Sequence, residues 1–344
     1  EERIFPDYYQ PQGPGRVEQM YQKISFDSAR KEALLKGAFV AAWADAGHHT
    51  ENFWLGYATG LAYAWKPATL TPAEATQAFF RSFYGPEALN MTRLYQLLSY
   101  QAQFWAASWD TVPSTTRKGI WGNHLRQYTP RIPAEDQAID LPALPAADLQ
   151  FTPTWTPKYA ERLKTASAML TENDQLLALI DENIYRAAHN RYNLEILRSN
   201  AQLCRQNLLF LLGLAGVEKA LAQAAGEASR KNQEDAVESL DRALDQVIAL
   251  RQLRNQTYQE TVTSWYKSWL PRVAEANGRK YLHELDDVKD HVPDRTLDMS
   301  YLVMRERNLP LDSWYQKLQS TRNAYAARTG HPARNVALHW TSLE

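Results

Sequence analysis

The chain has 344 residues and carries 38 Lys and Arg against 39 Asp and Glu, a net charge of −1. That balance offers no basic surface for a polyanion and argues against nucleic acid as a partner. A single cysteine, Cys204, excludes an intrachain disulfide and leaves the redox compartment unreadable. The length is enough for two domains. The 11 Trp and 18 Tyr serve cores first, and flat faces for sugar rings second.

Residues 4–9, Ile-Phe-Pro-Asp-Tyr-Tyr, read as a strand end. A loop rich in Gln, Pro and Gly follows over 10–15, then a short helix over 16–22. The apolar run 38–42 is of the kind a fully buried parallel strand presents. It stops at Trp43 and Asp45, and Gly47, His48 and His49 read as a loop. Thr50 is the expected N-cap of a helix carrying Phe53, Trp54, Tyr57, Leu61 and Trp65, which Pro67 ends. A buried strand, an aromatic and an acid at its C-terminal end, a loop and a covering helix make one βα unit of an α/β barrel. Chemistry in such barrels sits at the C-terminal ends of the strands.

Thr71-Pro72-Ala73-Glu74 combines an N-cap, a Pro at the first helical position and a capping-box acid. It predicts a helix to about Tyr84, stopped by Gly85-Pro86. A second helix is expected over 86–109, with Leu94, Leu97, Leu98, Gln101 and Trp105. Seven prolines between 111 and 157 mark a long irregular connector and a domain boundary within it. From Lys158 the apolar positions Tyr159, Leu163, Ala166, Leu170, Leu177, Ile180, Ile184 and Ala187 recur at steps of three and four, with Asn173 filling the gap. Leu194, Leu197, Ala201, Cys204, Leu208, Leu211 and Ala215 do the same. Val237, Leu240, Leu244 and Val247 open a third long helix reaching towards Trp269 and Pro271. Narrow apolar seams of this kind predict a helical bundle. Cys204 falls on a seam and reads as a small buried hydrophobe. Residues 278–311 read as polar and irregular, and a last helix is expected over 312–328. The longest apolar run, 208–217, is too short to cross a bilayer, so no membrane span is expected.

The stretch 37–65 resembles the last βα unit of the catalytic barrel in glycoside hydrolase family 20, the β-N-acetylhexosaminidases. There the last strand ends in Trp-x-Glu or Trp-x-Asp, matched here by Trp43 and Asp45. The pattern Phe-Trp-x-Gly-x-Ala-x-x-x-Ala-x-x-Trp, Phe53 to Trp65, is similar to that family's final barrel helix. The resemblance implies that Trp43 walls the pocket for an N-acetyl sugar and that Asp45 holds its outer hydroxyls; His48 and His49 then either rim that pocket or are solvated loop residues. It also implies that the preceding strand brings a Tyr to the acetamido oxygen and an Asp to the hydroxyls. Asp7 with Tyr8 or Tyr9 are the candidates. The family's usual order is Tyr-x-Asp, and Phe5 stands where that Tyr would be. Either Tyr8 or Tyr9 supplies the hydroxyl from a shifted position, or that contact is missing.

The family's catalytic Asp-Glu pair follows a His-x-Gly-Gly motif, and this chain has none. Its only Asp-Glu dipeptide, Asp181-Glu182, falls mid-helix and reads as a solvated face. His283, Asp286, Asp287 and His291 fit no metal-ligand spacing. The expected fold is mainly α, in three parts. Residues 1–66 are the C-terminal remnant of a (β/α)8 TIM barrel, 67–157 are helices and a Pro-rich connector, and 158–340 are an α-helical bundle. The expected function is that of the C-terminal portion of an exo-glycosidase. It acts on terminal β-linked N-acetylhexosamine by substrate-assisted retaining catalysis, with the acid/base pair encoded upstream of Glu1 in a longer protein. No cofactor and no metal is expected. The partner is an N-acetylhexosamine-containing glycan, and a second copy or the missing barrel half would cover the strand flanks. For a bacterial glycan-degrading enzyme, a periplasmic or extracellular location is favoured. The competing reading is a non-catalytic sugar-binding or helical interaction module.

Overall fold

A computed structural model describes residues 49–65, 70–109, 139–265, 267–268, 273–282 and 311–336. Among these the chain is mainly helical. A 3₁₀ turn, Thr50–Phe53, leads into α1 (Trp54–Trp65), followed by α2 (Pro72–Tyr84) and α3 (Met91–Trp109). A one-turn helix, Trp155–Lys158, precedes the long helices α4 (Ala160–Arg186), α5 (Arg191–Ser229) and α6 (Gln233–Trp265). A hairpin of β1 (Val273–Ala276) and β2 (Arg279–Leu282) and a final helix α7 (Leu311–Thr329) complete the order. The expected strand at 38–42 lies outside the described residues.

Local chemistry accounts for the ends of these elements. At α2 the Thr71 hydroxyl accepts from the Glu74 amide at 3.3 Å, and the Glu74 carboxylate accepts from the Thr71 amide at 2.8 Å. This is the reciprocal cap that the sequence predicts. The helix stops at Gly85, whose φ of 102° and ψ of 165° suit glycine alone. α3 begins at Met91, five residues later than expected, after a turn that holds Asn90 at φ 55°. β1 and β2 pair antiparallel with Val273 opposite Leu282 and Ala276 opposite Arg279. Asn277 and Gly278, at φ 53° and 71°, supply the two left-handed residues of a tight hairpin turn. Residues 279–282, within the stretch expected to be irregular, therefore form a strand.

The chain divides into two compact units. The first takes its described residues from Glu1–Ala138, Thr171–Cys204 and Thr261–Val303. Its core joins Leu55 of α1 and Phe80 of α2 to Leu94 and Leu97 of α3, Ile180 of α4 and Leu197 of α5. Each fully buried side chain of this size contributes about 1.5–3 kcal/mol before entropy is counted. The second unit takes its residues from Ile139–Leu170, Arg205–Glu260 and Met304–Glu344. It buries Leu211 and Leu214 of α5, Leu240 and Leu244 of α6 and Leu318 of α7. The extended run before Trp155 is held through the indoles of Trp155, which donates to the Asp140 carbonyl at 2.7 Å, and Trp314, which donates to the Pro142 carbonyl at 3.0 Å. Arg322 grips Asp241 with two bonds of 2.8 and 2.9 Å.

The buried face of α4 keeps the expected Ala166, Asn173 and Ile180 and departs from the expected seam by one position at the alternate places. Its buried residues are Arg162, Ala166, Met169, Asn173, Leu176, Ile180 and Asn183, at alternating steps of four and three. Leu163, Leu170, Leu177 and Ile184 each follow one of these and are half-buried flanks. The heptad is as expected, but polar side chains share its centre line. On α5, Leu194, Leu197, Ala201, Cys204, Leu208 and Leu211 are buried as the sequence predicts. By length and composition, α5 is the one helix among the described residues that could cross a membrane, a property a buried core helix shares. Of its most apolar stretch, 56% is buried.

A methyl group added at Gly85 would stand 2.9 Å from the Ala188 Cβ and sit on a backbone closed to other residues. Gly85→Ala is expected to cost about 1–3 kcal/mol and to lower the thermal unfolding midpoint, read by circular dichroism. An unchanged midpoint would mean that the turn relaxes freely.

Candidate functional site

Of the site residues expected from sequence, Asp7, Tyr8, Tyr9, Trp43, Asp45 and His48 lie outside the described residues. His49 lies inside them, fully buried at the start of the 3₁₀ turn. His49, one residue before the expected Thr50, is the N-cap. Its backbone is extended, and its Nδ1 accepts the Glu51 amide proton at 3.1 Å. An imidazole that accepts at Nδ1 carries its neutral-state proton on Nε2. That Nε2–H points to the Ser268 Oγ at 3.0 Å and the Tyr192 hydroxyl at 3.1 Å. Tyr192 in turn donates to the Ser264 carbonyl at 2.8 Å. The two rings meet edge to face, with centroids 5.7 Å apart. Burial pushes the His49 pKa down to about 4, so the ring is neutral near pH 7.

The next residues are fixed as firmly. Asn193 of α5 donates to the Glu51 carbonyl at 2.6 Å and to its carboxylate at 3.1 Å, and accepts from the Tyr84 hydroxyl. Because Tyr84 gives its proton to Asn193, the 2.7 Å contact between Tyr84 and Tyr95 has Tyr95 as donor. Burial, then Tyr95 and the Glu51 charge, raise the Tyr84 phenol well above its ordinary value. Trp54 donates to the Glu51 carboxylate at 3.1 Å, and Asn200 donates to the Asn52 side chain at 2.9 Å. Glu51, Tyr84, Tyr192, Asn193 and Ser268 are the residues that sequence reasoning missed. A readable signal exists for the α5 pair, since Asn193 and Asn200 stand seven residues apart, each beside a residue of the apolar seam, Leu194 and Ala201.

Chemically, this cluster positions rather than reacts. Both His49 nitrogens are engaged, and a ring titrating near pH 4 neither donates a proton as an imidazolium at pH 7 nor presents a free lone pair. Asp181 pairs with Arg198 at 2.7 Å and Glu182 with Arg186 at 2.9 Å, all on solvated helix surface as expected. Cys204 is buried, and burial raises its thiol to about 12. Glu218 is likewise structural. Burial works to raise its carboxyl, but hydrogen bonds from the amides of Thr156, Trp155 and Thr154 at 2.6–2.9 Å outweigh this and hold it below the ordinary value. Among the described residues no group of three or more His, Cys, Asp or Glu could hold a metal ion. His283, Asp286, Asp287 and His291 lie outside them. No protein-family model, no curated protein and no solved structure matches the chain.

The buried histidine gives the first unit a pH dependence of defined sign. The folded ring titrates near pH 4 against 6.5 when solvated, so the unfolded chain takes up its proton first. The stability that neutral His49 carries is whole above pH 6.5 and is lost as pH falls towards 4. His49→Asn keeps a capping oxygen and removes the titration. Between pH 7 and pH 4.5, the thermal midpoint of the parent is expected to fall further than that of the variant. Parallel losses would show that His49 does not govern the acid limb.

Proposed function

We propose that the chain is the C-terminal part of an exo-acting β-N-acetylhexosaminidase, contributing one wall of the sugar pocket. The observation that carries this reading is the pattern Trp43-x-Asp45 followed by Phe53 to Trp65. Two structural facts support it. The helix runs over Trp54–Trp65, as the resemblance requires. That helix also contains no charged residue, burying Leu55 on one side while Leu61 and Trp65, the latter 91% exposed, look outward. A helix apolar on both sides suits a layer between a barrel sheet and a second core.

In this reading Trp43 stacks on the sugar or walls its acetamido methyl, and Asp45 accepts hydrogen bonds from the outer hydroxyls. Asp7 with Tyr8 or Tyr9 complete the wall. The substrate's own acetamido oxygen attacks the anomeric carbon, an exception to the two-carboxylate scheme. An Asp-Glu pair from residues outside 1–344 orients that group and protonates the leaving oxygen. Asp181 and Glu182, engaged with Arg198 and Arg186, do not supply it. The His49 cluster serves by restraint. Asp45 is four residues away, and successive Cα atoms are about 3.8 Å apart, which tethers it within about 15 Å of a fixed point.

The test uses the product of the complete reading frame and a chromogenic N-acetyl-β-glucosaminide. Trp43→Ala is expected to lower kcat/KM by about a hundredfold or more. Asp45→Asn, losing charge-assisted bonds of about 1.5–3 kcal/mol, is expected to lower it about ten- to a hundredfold. Near-parental turnover in both variants would overturn the pocket assignment. Sugar binding without any turnover in the parent would favour a non-catalytic module.

A further inference from the structure

Beyond α7 the chain turns back along the helix it has just left. α7 ends at Thr329, and the His331 amide returns to the Ala326 carbonyl at 2.8 Å. Residues 331–336 follow with no helix or strand of their own. Asn323 of α7 binds both backbone groups of Arg334. Its Oδ1 accepts from the Arg334 amide at 2.8 Å, and its Nδ2 donates to the Arg334 carbonyl at 3.0 Å. One turn earlier on α7, the Gln319 Oε1 accepts from the Val336 amide at 3.0 Å. Two residues of extended chain span about 6.6 Å and four residues of helix about 6 Å, so Gln319 and Asn323 stand at the repeat of an extended peptide. Arg334 and Val336 are half-buried while Ala333 and Asn335 are exposed, the alternation of an extended segment with one side turned down.

A side chain adds selectivity to this reading of the backbone. The Arg334 guanidinium reaches α6, where Asp241 and Asp245 stand one turn apart. It donates to the Asp241 carboxylate at 3.2 Å and to the Asp245 carboxylate. All of these contacts are polar, and none of residues 331–336 is buried. A segment that buries no apolar side chain and is held by part-exposed ion pairs belongs to the low-stability end of a fold. It can leave without opening what lies beneath, because Arg322 of α7 keeps its own two bonds to Asp241 of α6. The face left behind presents an acidic pair and two side-chain amides in the pattern of an extended, arginine-bearing peptide.

We propose that this face of α6 and α7, within the second unit, is a recognition site for an extended peptide segment with an arginine, and that residues 331–336 occupy it as a built-in competitor. A partner fits when it offers a guanidinium to Asp241 and Asp245, free backbone groups at that arginine, and an amide N–H two residues later. The proposal does not rest on the glycosidase reading. The probe is a fluorescent, end-blocked peptide Gly-His-Pro-Ala-Arg-Asn-Val, the sequence of residues 330–336, titrated into the full chain at low ionic strength and followed by anisotropy. The Arg334→Ala chain, whose own segment has lost its ion pairs, is expected to bind the peptide saturably and about tenfold or more tighter than the parent. Binding should weaken as salt is added. Replacing the peptide's arginine by alanine, or adding Asp245→Asn to the Arg334→Ala chain, is expected to weaken it about tenfold or more. Asp245 is chosen because it is exposed, whereas Asp241 also neutralises the buried Arg322, so the variants should keep the parental unfolding midpoint. The proposal is overturned by absence of saturable binding to the Arg334→Ala chain, by equal binding of the alanine peptide, or by equal affinity in the parent and the Arg334→Ala chain.

Discussion

A side-chain amide taken out of water must find partners for its donors and its acceptor, and three asparagines in the first unit do so across the chain. Asn173 donates to the Gln101 side chain at 2.6 Å and to the Ala201 carbonyl at 2.9 Å, tying α4 to α3 and α5. Asn183 accepts from the Leu89 amide and donates to the Leu89 carbonyl, clasping the turn before α3. Asn193 receives Tyr84 from α2 and holds Glu51 in the 3₁₀ turn before α1. Leaving one such group unsatisfied costs about 1–3 kcal/mol, so each amide selects one register among those that apolar packing alone would tolerate. The segment leading into α1 inherits its position from this arrangement.

The helices were largely legible because their ends carry explicit chemistry. Thr71, Pro72 and Glu74 announce α2, and Gly85 ends it. The heptad spacing on α4 and α5 was legible for the same reason: apolar side chains recur where a helix repeats. What periodicity did not reveal is which neighbour of each leucine faces inward. Weighing side chains by hydrophobicity favours Leu163, Leu170, Leu177 and Ile184. Ala166, Asn173 and Ile180 are buried as expected, but at those four places burial falls on Arg162, Met169, Leu176 and Asn183, one position earlier. A polar residue that satisfies its hydrogen bonds can outrank a leucine for the central line, and those partners lie far off in sequence. The hairpin at Asn277-Gly278 is a different case, since its turn dipeptide was in plain view but stood in a polar stretch without alternating apolar residues.

The functional segment follows the same division. His49 looked like a loop residue because nothing local buries it. Its environment is built by Tyr192 and Ser268, 143 and 219 positions away. Residue type and spacing suggested a pocket rim, whereas the geometry gives His49 the work of a cap and a tether. A histidine kept neutral in a buried site costs stability as pH falls, and in return it fixes the start of the 3₁₀ turn.

The lone thiol of Cys204 has a consequence of its own. It is buried on α5, and burial lifts its pKa to about 12, so the folded chain holds almost no thiolate near neutral pH. An alkylating reagent can reach it only when α5 parts from its neighbours. Because no other cysteine competes, the rate of labelling becomes a clock for that opening, read on a single atom in an unmodified protein.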